Sequence, residues 1–253
     1  MDKSAVREAV WDAFEETGAA RFPFPPHGRI PNFAGADAAC ERLADTGEWA
    51  AASTLKCNPD APQLPVRRAA LRAGKTVYVA QPRLRDPNPF LRLDPAEIPP
   101  AEIDDATTVS GIGEHGVPTA PEDVSRVDLV ISGSVGVATD GARIGKGEGY
   151  GDLEWGVLRE LEAVDEGTTV ATTVHELSVL DGPQSAVAAA VDAGDALPAP
   201  DDHDVPLDLI ATPERTIRTE TSYPRPDGID WDALDAARLN EIPVLAERAP
   251  EGV

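Results

Sequence analysis

The stretch VDLVISGSVGVATDGARIGKGEGYGDLEWGVLRELEAVDEGTTVATTV, residues 127–174, decides the fold class of this chain. Its first five residues form an apolar, β-branched run that predicts a buried strand. Residues 153–163 repeat apolar side chains at helical spacing, and residues 168–174 predict the next strand. A strand, a helix and a strand at such short spacing favour an α/β fold, with a parallel sheet covered on both faces.

The same alternation extends in both directions from this stretch. Residues 4–17 predict an amphipathic helix that Ser4 caps and Gly18 ends. The remaining predicted helices lie at 36–44, at 65–73 and around 231–240, and the remaining strands at 53–57, 76–80 and 207–211. Residues 86–122 are rich in Pro, Asp and Gly and predict a long loop.

The charge of the chain excludes several classes of function. Its 253 residues include 45 acidic and 22 basic ones, a formal net charge of −23, which argues against binding to nucleic acid or an anionic membrane. The sequence contains no run of eighteen apolar residues, so no membrane span is predicted. The first residues lack the apolar core of a signal peptide, so we expect a cytoplasmic protein. Two cysteines, Cys40 and Cys57, are too few for a disulfide scaffold.

Lysine is scarce among the basic residues. Lys3, Lys56, Lys75 and Lys146 are the four lysines of the chain. An acidic, lysine-poor surface is typical of a halophilic protein, because salt screens the repulsion between carboxylates. The alternative is an acidic protein from a GC-rich genome, in which arginine replaces lysine for codon reasons. In either case, each remaining lysine becomes a candidate for a specific role.

The glycine-rich loop within the opening stretch has the character of an anion site. Gly145, Gly147 and Gly149 alternate, which lets backbone N–H groups converge without obstruction by Cβ atoms. Arg143 and Lys146 add positive charge, and the N-terminus of the following helix adds its dipole. The loop matches neither a P-loop nor a dinucleotide fingerprint. A polyphosphate is the favoured ligand, and a plain tight turn is the alternative.

Asp152 follows this loop directly, and two roles are open for it. As an oxygen ligand beside phosphates it would hold Mg²⁺. As a residue at a helix start it would cap the helix instead.

Four segments carry a resemblance to a known family. They are Lys3-Ser-Ala-Val-Arg7, the loop GARIGKGEGYGDLE at 141–154, TVHEL at 173–177, and HDVPLDLIATP at 203–213. In this order they resemble the 5-formyltetrahydrofolate cyclo-ligase (methenyltetrahydrofolate synthetase) family. The segments RIPNF at 29–33, NPDAPQLPVR at 58–67 and PRLR at 82–85 are similar to its divergent branch, which includes the methenyltetrahydrofolate synthetase domain-containing proteins.

The resemblance implies a fold, a reaction and a set of ligands. The family fold is a three-layer α/β/α structure with a mostly parallel sheet. In the family reaction, ATP phosphorylates the formyl oxygen of 5-formyltetrahydrofolate, the neighbouring nitrogen attacks the activated carbon, and phosphate leaves to give 5,10-methenyltetrahydrofolate. ATP, Mg²⁺ and a reduced folate are therefore the expected ligands, and no nucleic acid or membrane is expected as a partner.

The resemblance also implies a role for particular residues. The residues expected to bind ATP are Lys3, Arg7, Arg143, Gly145, Lys146, Gly147, Gly149, Tyr150 and Gly151. Asp152 and Asp204 would coordinate magnesium. Tyr150 and Asp60 would contact the substrate.

Two departures from the family pattern affect the substrate half of the site. The family's tandem tyrosine is Tyr150-Gly151 here, and a proline occupies the place of a glutamate that meets the pterin. Either Asp60 substitutes for that glutamate, or the contact with the folate is lost. Two alternatives to cyclo-ligase activity follow. One is an ATP-dependent paralogue acting on another small molecule, such as a thiamin-related one. The other is a non-catalytic nucleotide- or folate-binding protein.

A change in composition divides the chain. We expect a cyclo-ligase-like α/β domain at residues 1–217. Residues 218–253 would form a C-terminal extension with one helix packed on that domain, because Trp231, Leu234 and Leu239 need burial. A monomer and a homodimer are both compatible with the sequence.

The halophile hypothesis predicts how stability responds to salt. The melting temperature should rise when KCl is raised into the molar range, because salt screens the repulsion within a chain of charge −23. Thermal unfolding followed by circular dichroism at several salt concentrations measures this. A melting temperature that falls with added salt would contradict the hypothesis.

Overall fold

The structure is a computed structural model that describes residues 1–192, 194–234 and 236–250, without the side chain of Ala236. The helices are α1 (Lys3–Glu16), α2 (Ala36–Ala44), α3 (Gly47–Ala51), α4 (Leu64–Arg72), α5 (Ile103–Ala106), α6 (Val109–His115), α7 (Tyr150–Glu160), α8 (Ala188–Asp192), α9 (Ala236–Glu241) and α10 (Pro243–Ala246). The strands are β1 (Thr54–Cys57), β2 (Thr76–Ala80), β3 (Phe90–Leu93), β4 (Val117–Thr119), β5 (Leu129–Ile131), β6 (Gly136–Val137), β7 (Arg143–Ile144), β8 (Thr169–Thr173), β9 (Leu209–Ala211) and β10 (Thr216–Arg218).

One mixed sheet organises the fold. Its strands lie in the order β10-β9-β8-β5-β1-β2-β3-β4. The neighbours from β9 to β2 are parallel, whereas β10, β3 and β4 join the edges antiparallel. The chain order reverses between β1 and β5, which creates a crevice at the carboxyl ends of these two strands. Ligands of doubly wound α/β proteins characteristically bind in such a crevice.

Alternating side chains of the sheet face two separate layers of helices. Leu55 and Cys57 of β1 belong to the core that contains Cys40 and Leu43 of α2 and the buried apolar residues of α4. Val130 of β5 and Ile210 of β9 belong to the opposite core, which contains the buried residues of α7. Because side chains alternate along a strand, these two cores lie on opposite faces of the sheet. The predicted three-layer α/β/α fold with a mostly parallel sheet is confirmed.

The prediction of a long loop at residues 86–122 is wrong. This segment contains β3, α5, α6 and β4, and the two strands extend the sheet antiparallel beside β2. Phe90 and Leu93 are fully buried, which accounts for the strand despite the surrounding prolines. Pro118 lies in the outermost strand, where a residue without an N–H group is tolerated.

Several helix boundaries differ from the predicted ones. Helix α1 begins at Lys3 and is capped by Asp2, whose carboxylate accepts a hydrogen bond from Ala5 N at 2.8 Å, so Ser4 is not the cap. Helix α7 begins at Tyr150 rather than at Leu153, because Gly149 adopts a left-handed conformation (φ 70°) at its N-terminus.

The chain after β10 packs on the same core as α7. Ile229, Ile242, Val244 and Leu245 are buried there, and Trp231, Leu234 and Leu239 are partly buried against it. Where one helix was predicted, the structure has a 3-10 turn at Trp231–Ala233 and helix α9, and α10 follows. The division of the chain at residue 217 stays a prediction. No helix in the described parts of the chain combines the length and the apolar character that a membrane span requires.

Candidate active site

A cavity of about 330 Å³ lies in the crevice between β1 and β5. Its walls come from the segments that follow β1 and β2, from Gly133 after β5, and from the glycine-rich loop with the first turn of α7. The predicted site residues among its lining are Asp60, Arg143, Gly145, Lys146, Gly149, Tyr150, Gly151 and Asp152. The structure thus brings most of the predicted site together at the switch point of the sheet.

The glycine-rich loop needs glycine at particular positions. Gly147 and Gly149 have φ angles of 102° and 70°, which side chains with a Cβ atom rarely adopt. A Cβ atom on Gly145 would approach Arg143 Nη1 to 3.1 Å, and one on Gly147 would approach the Arg7 guanidinium to 3.3 Å. The glycines therefore permit the turn and also leave room for two arginines against its backbone.

Arg143 anchors this loop through contacts with Gly133 and Asp152. It is buried, and its guanidinium donates to the Gly133 carbonyl at 3.1 Å and to the Asp152 carboxylate. Burial disfavours the charge on Arg143, but the neighbouring Asp152 carboxylate offsets this effect, and the pKa of Arg143 is raised. Its buried Nε atom has no hydrogen-bond partner among the described residues.

Asp152 has a partner that neither sequence interpretation included. Its Oδ1 atom accepts hydrogen bonds from Arg143 and from Val205 N, the latter at 3.0 Å. It lies in the first turn of α7, but the residue at the cap position is Gly149 and the helix has no side-chain cap. The interpretation of Asp152 as a helix cap is therefore not supported. The contact with Val205 instead brings the segment of Asp204 next to the loop.

Lys3 and Arg7 reach the outer side of the loop from helix α1 and do not line the cavity. Arg7 Nε donates to the Gly145 carbonyl at 2.7 Å. Lys3 pairs with Asp204 and, at 2.7 Å, with Asp201. Partial burial lowers the pKa of Lys3, but the hydrogen bonds to the two carboxylates outweigh it and the pKa is raised. Lys3, which was expected to bind ATP, therefore lies next to Asp204, which was expected to bind magnesium.

Lys146 and Asp60 lie on the wall of the cavity. Lys146 is one-third exposed and pairs with Glu148 at 2.7 Å. Burial raises the pKa of the Asp60 carboxyl, although the nearby cations Lys146, Arg67 and Lys56 lower it in part. Within the described chain, no side chain of another residue forms a hydrogen bond or ion pair with the Asp60 carboxyl, which accepts a hydrogen bond from its own backbone, so it remains available to a ligand.

A buried polar network behind the cavity was not predicted from the sequence. Lys56 of β1 forms an ion pair with Glu154 of α7, and Asn58 Nδ2 donates to the same carboxylate at 2.9 Å. Asn58 Oδ1 accepts from Gly133 N at 3.1 Å, which ties the ends of β1 and β5 together. The signal in the sequence was Lys56 itself, one of four lysines, placed in a strand between Leu55 and Cys57.

The chain after residue 217 also reaches the loop. The Arg238 guanidinium of α9 stacks on the Tyr150 ring at 4.6 Å and donates to the Glu148 carbonyl. Arg85, which follows the segment after β2, pairs with Glu241 at 2.9 Å. One face of Tyr150 is therefore occupied by a cation from the C-terminal segment.

The fold and this site define a doubly wound α/β protein with a glycine-rich loop lining a cavity at its switch point. The sequence model of the 5-formyltetrahydrofolate cyclo-ligase family matches residues 2–213. The chain is 40% identical over 249 residues to a methenyltetrahydrofolate synthase domain-containing protein of Mus musculus and 36% identical over 249 residues to that of Homo sapiens. These matches cover 97% of the chain. The chain belongs to the 5-formyltetrahydrofolate cyclo-ligase family, as the resemblance predicted.

The relatives are longer than this chain. The match covers 62% of the mouse protein and 61% of the human protein, so the chain spans about three-fifths of their length. A solved 5,10-methenyltetrahydrofolate synthetase from Aquifex aeolicus aligns with a TM-score of 0.49 and 16% identity, over 88% of this chain and 95% of that one.

The Arg143–Asp152 pair generates a prediction about stability. Asp152→Asn should lower the free energy of unfolding of the ligand-free protein by about 1–3 kcal/mol, because a buried guanidinium loses its charged partner. Chemical denaturation measures this. The control is Asp104→Asn, which removes an exposed pair with Arg72 and should cost less than about 1 kcal/mol. Equal, small effects for both variants would show that the buried pair does not stabilise the fold.

The raised pKa of Asp60 generates a second prediction, about pH. The native chain holds this proton more tightly than the unfolded chain, so stability is lost as pH rises through the native pKa. Asp60→Asn removes this loss and should raise the melting temperature at pH 7, with a smaller difference near pH 4. Asp202→Asn, at an exposed position, is the control and should follow the wild-type pH profile. A lower melting temperature of Asp60→Asn at pH 7 would contradict the assignment.

Proposed function

We propose that the chain catalyses the ATP- and Mg²⁺-dependent conversion of 5-formyltetrahydrofolate to 5,10-methenyltetrahydrofolate. The observation that carries this proposal is the composition of one cavity. The glycine-rich loop forms one wall, and polar residues that follow β1 and β5, including Asn58 and Asp60, form another. Membership of the cyclo-ligase family supports the same reaction for this site.

The residues of the loop fit a polyphosphate. The glycines leave the backbone open where a Cβ atom would collide with Arg143 or Arg7. Lys146 lies on the cavity wall, and the N-terminus of α7 points its dipole toward the same place. In a chain of net charge −23, this concentration of cations favours a strongly anionic ligand. Lys3 and Arg7 would add to it from α1.

Asp152 and Asp204 would hold magnesium together with phosphate oxygens. Magnesium commonly takes one or two carboxylates and completes its shell with phosphates and water. The described hydrogen bonds of the two residues use Oδ1 of Asp152 and Oδ2 of Asp204. The second oxygen of each carboxylate can thus serve as a ligand. The ion, when bound, would neutralise charge on the phosphates.

The opposite wall of the cavity suits the substrate. A reduced folate presents N–H donors along its pterin ring, and the carboxyl of Asp60 on this wall offers oxygen acceptors. Tyr150 provides a ring for stacking. The chain would act mainly by orientation: it would hold the formyl oxygen near the terminal phosphate while Arg143 and Lys146 stabilise the charge that develops on transfer.

One observation favours a second candidate function. Arg238 covers one face of Tyr150, and Gly151 stands where the family has a second tyrosine, so the aromatic surface for a pterin is reduced. An ATP-dependent paralogue acting on another small molecule would bind ATP with the same glycine-rich loop but would bind a different substrate. A non-catalytic nucleotide- or folate-binding protein is the third possibility, and it would bind ligands without turnover.

Purified protein incubated with 5-formyltetrahydrofolate, ATP and magnesium should show the absorbance of the methenyl product. Lys146→Ala should weaken ATP binding by roughly 1.5–3 kcal/mol, because a charged hydrogen bond to phosphate is lost. Its unfolding free energy should barely change, since the side chain is partly exposed. Arg72→Ala, which removes an exposed cation from helix α4, is the control and should bind ATP as the wild type does.

The outcomes separate the three functions. ATP hydrolysis with a different metabolite, and none with 5-formyltetrahydrofolate, would replace the cyclo-ligase by the paralogue. Ligand binding without turnover at any salt concentration would favour the binding protein. Wild-type ATP affinity in Lys146→Ala would remove this lysine from the phosphate site.

A further inference from the structure

A second cavity, of about 170 Å³, lies beside the first. Gly149 and Asp152 line both cavities, so the two meet at the start of α7. Tyr150 lines the larger one and Arg238 the smaller one, and these two side chains stack on each other. The stacked pair therefore forms part of the partition between the two spaces. A ligand lying along the glycine-rich loop could extend past Gly149 from one cavity into the other.

The outer half of this cavity comes from a segment beyond the matched family region. The family model ends at residue 213, whereas Gly228, Ile229, Asp230, Ala233, Leu234 and Arg238 all line the cavity. None of these six residues is among the site residues predicted from the sequence.

This segment is held firmly against α7. Trp155 Nε1 donates to the Pro226 carbonyl at 3.0 Å. A Cβ atom on Gly156 would lie 3.1 Å from the Gly228 carbonyl oxygen, so glycine is needed for the close approach of the two segments. Ile229 is buried in the core that also contains Trp155. The cavity is thus a preformed feature of the packing rather than a gap beneath a loose tail.

The lining combines apolar walls with a polar edge. Leu153 from α7 and Ile229 and Leu234 from the C-terminal segment offer apolar surface. His203, Asp230 and Arg238 offer hydrogen-bond donors and acceptors. Apolar walls with a few placed polar groups are typical of sites for flat organic ligands. A nitrogen heterocycle with an exocyclic amino group matches both features, because its faces are apolar and its edge can donate to a carboxylate.

We infer that this second cavity is a subsite for the heterocyclic base of the nucleotide, and that residues 228–234 and Arg238 of the C-terminal segment build it. This inference rests on the proposed function, because it places the triphosphate along the glycine-rich loop. The phosphates then lie toward Lys146 and the base beyond Gly149. Arg238 contributes twice: it lines the base subsite, and its bond to the Glu148 carbonyl steadies the loop.

The test compares a ligand that has the base with one that lacks it. Isothermal titration calorimetry of the full chain measures the affinity for Mg-ATP and for magnesium tripolyphosphate. Ala233→Trp places a large ring in the subsite from an exposed 3-10 turn. Ala246→Trp, an identical change at an exposed position of α10 that does not line the cavity, is the control. Melting temperatures without ligand verify that both variants fold.

We expect the wild type to bind Mg-ATP at least tenfold more tightly than magnesium tripolyphosphate. Ala233→Trp should abolish most of this difference and leave the affinity for tripolyphosphate within about twofold, whereas Ala246→Trp should behave as the wild type. If Ala233→Trp unfolds, Leu234→Gln, which makes one apolar wall polar, serves in its place with the same expected pattern.

Failure of the base subsite and failure of the proposed function would give different binding results. A wild-type preference for ATP that survives in the subsite variants, or no preference in the wild type, would overturn the base subsite and leave the phosphate site intact. A wild type that binds neither ligand would overturn the proposed function, and the subsite with it.

Discussion

A buried ion pair between Arg143 and Asp152 is the contact on which the candidate site depends. Arg143 lies in β7, Asp152 lies in the first turn of α7, and Asp152 also accepts a hydrogen bond from Val205 N. Strand β7, helix α7 and the segment of Val205, which is 53 positions from Asp152, therefore meet at one carboxylate. Removing a charge from such a pair leaves the other charge buried and uncompensated, so the pair constrains all three segments together. The glycine-rich loop between the two residues keeps its shape because both of its ends are fixed.

The distribution of charge is compatible with the proposed anion site in an acidic chain. Many carboxylates lie on the surface, whereas Arg143, Arg67 and Lys56 are buried around the crevice of the sheet. Each of these cations has fixed partners: a carboxylate for Arg143 and Lys56, and backbone carbonyls for Arg67. Buried charges are screened by salt less than exposed ones are. Because Arg143 and Lys56 are balanced by their carboxylate partners, the positive charge of this set comes mainly from Arg67, and Arg7 adds to it from the outer side of the loop.

Local patterns in the sequence were sufficient for the parts of the fold that short-range forces determine. Helix α2 and strand β2 have the predicted bounds, and the glycine-rich loop lies where it was expected, because propensity and periodicity act over a few residues. The Lys56–Glu154 pair joins residues 98 positions apart, and no local pattern encodes such a contact. The strands within 86–122 were missed for a related reason. Their identity comes from pairing with β2 and from burial of Phe90 and Leu93, whereas composition reports only the prolines and aspartates.

Membership of the family does not determine the substrate of this chain, because the C-terminal segment adds residues beside the site. The loop, the buried pair and the crevice lie within the matched region 2–213. Residues after this region supply the cation that covers one face of Tyr150 and the outer wall of the second cavity. A segment that adds a wall to a pocket changes which ligands fit, without altering the loop itself. The glycine-rich loop can therefore be retained while the neighbouring pockets diverge. Under the proposed function, ligand specificity would be determined where the C-terminal segment meets α7, at the contact of Arg238 with Tyr150.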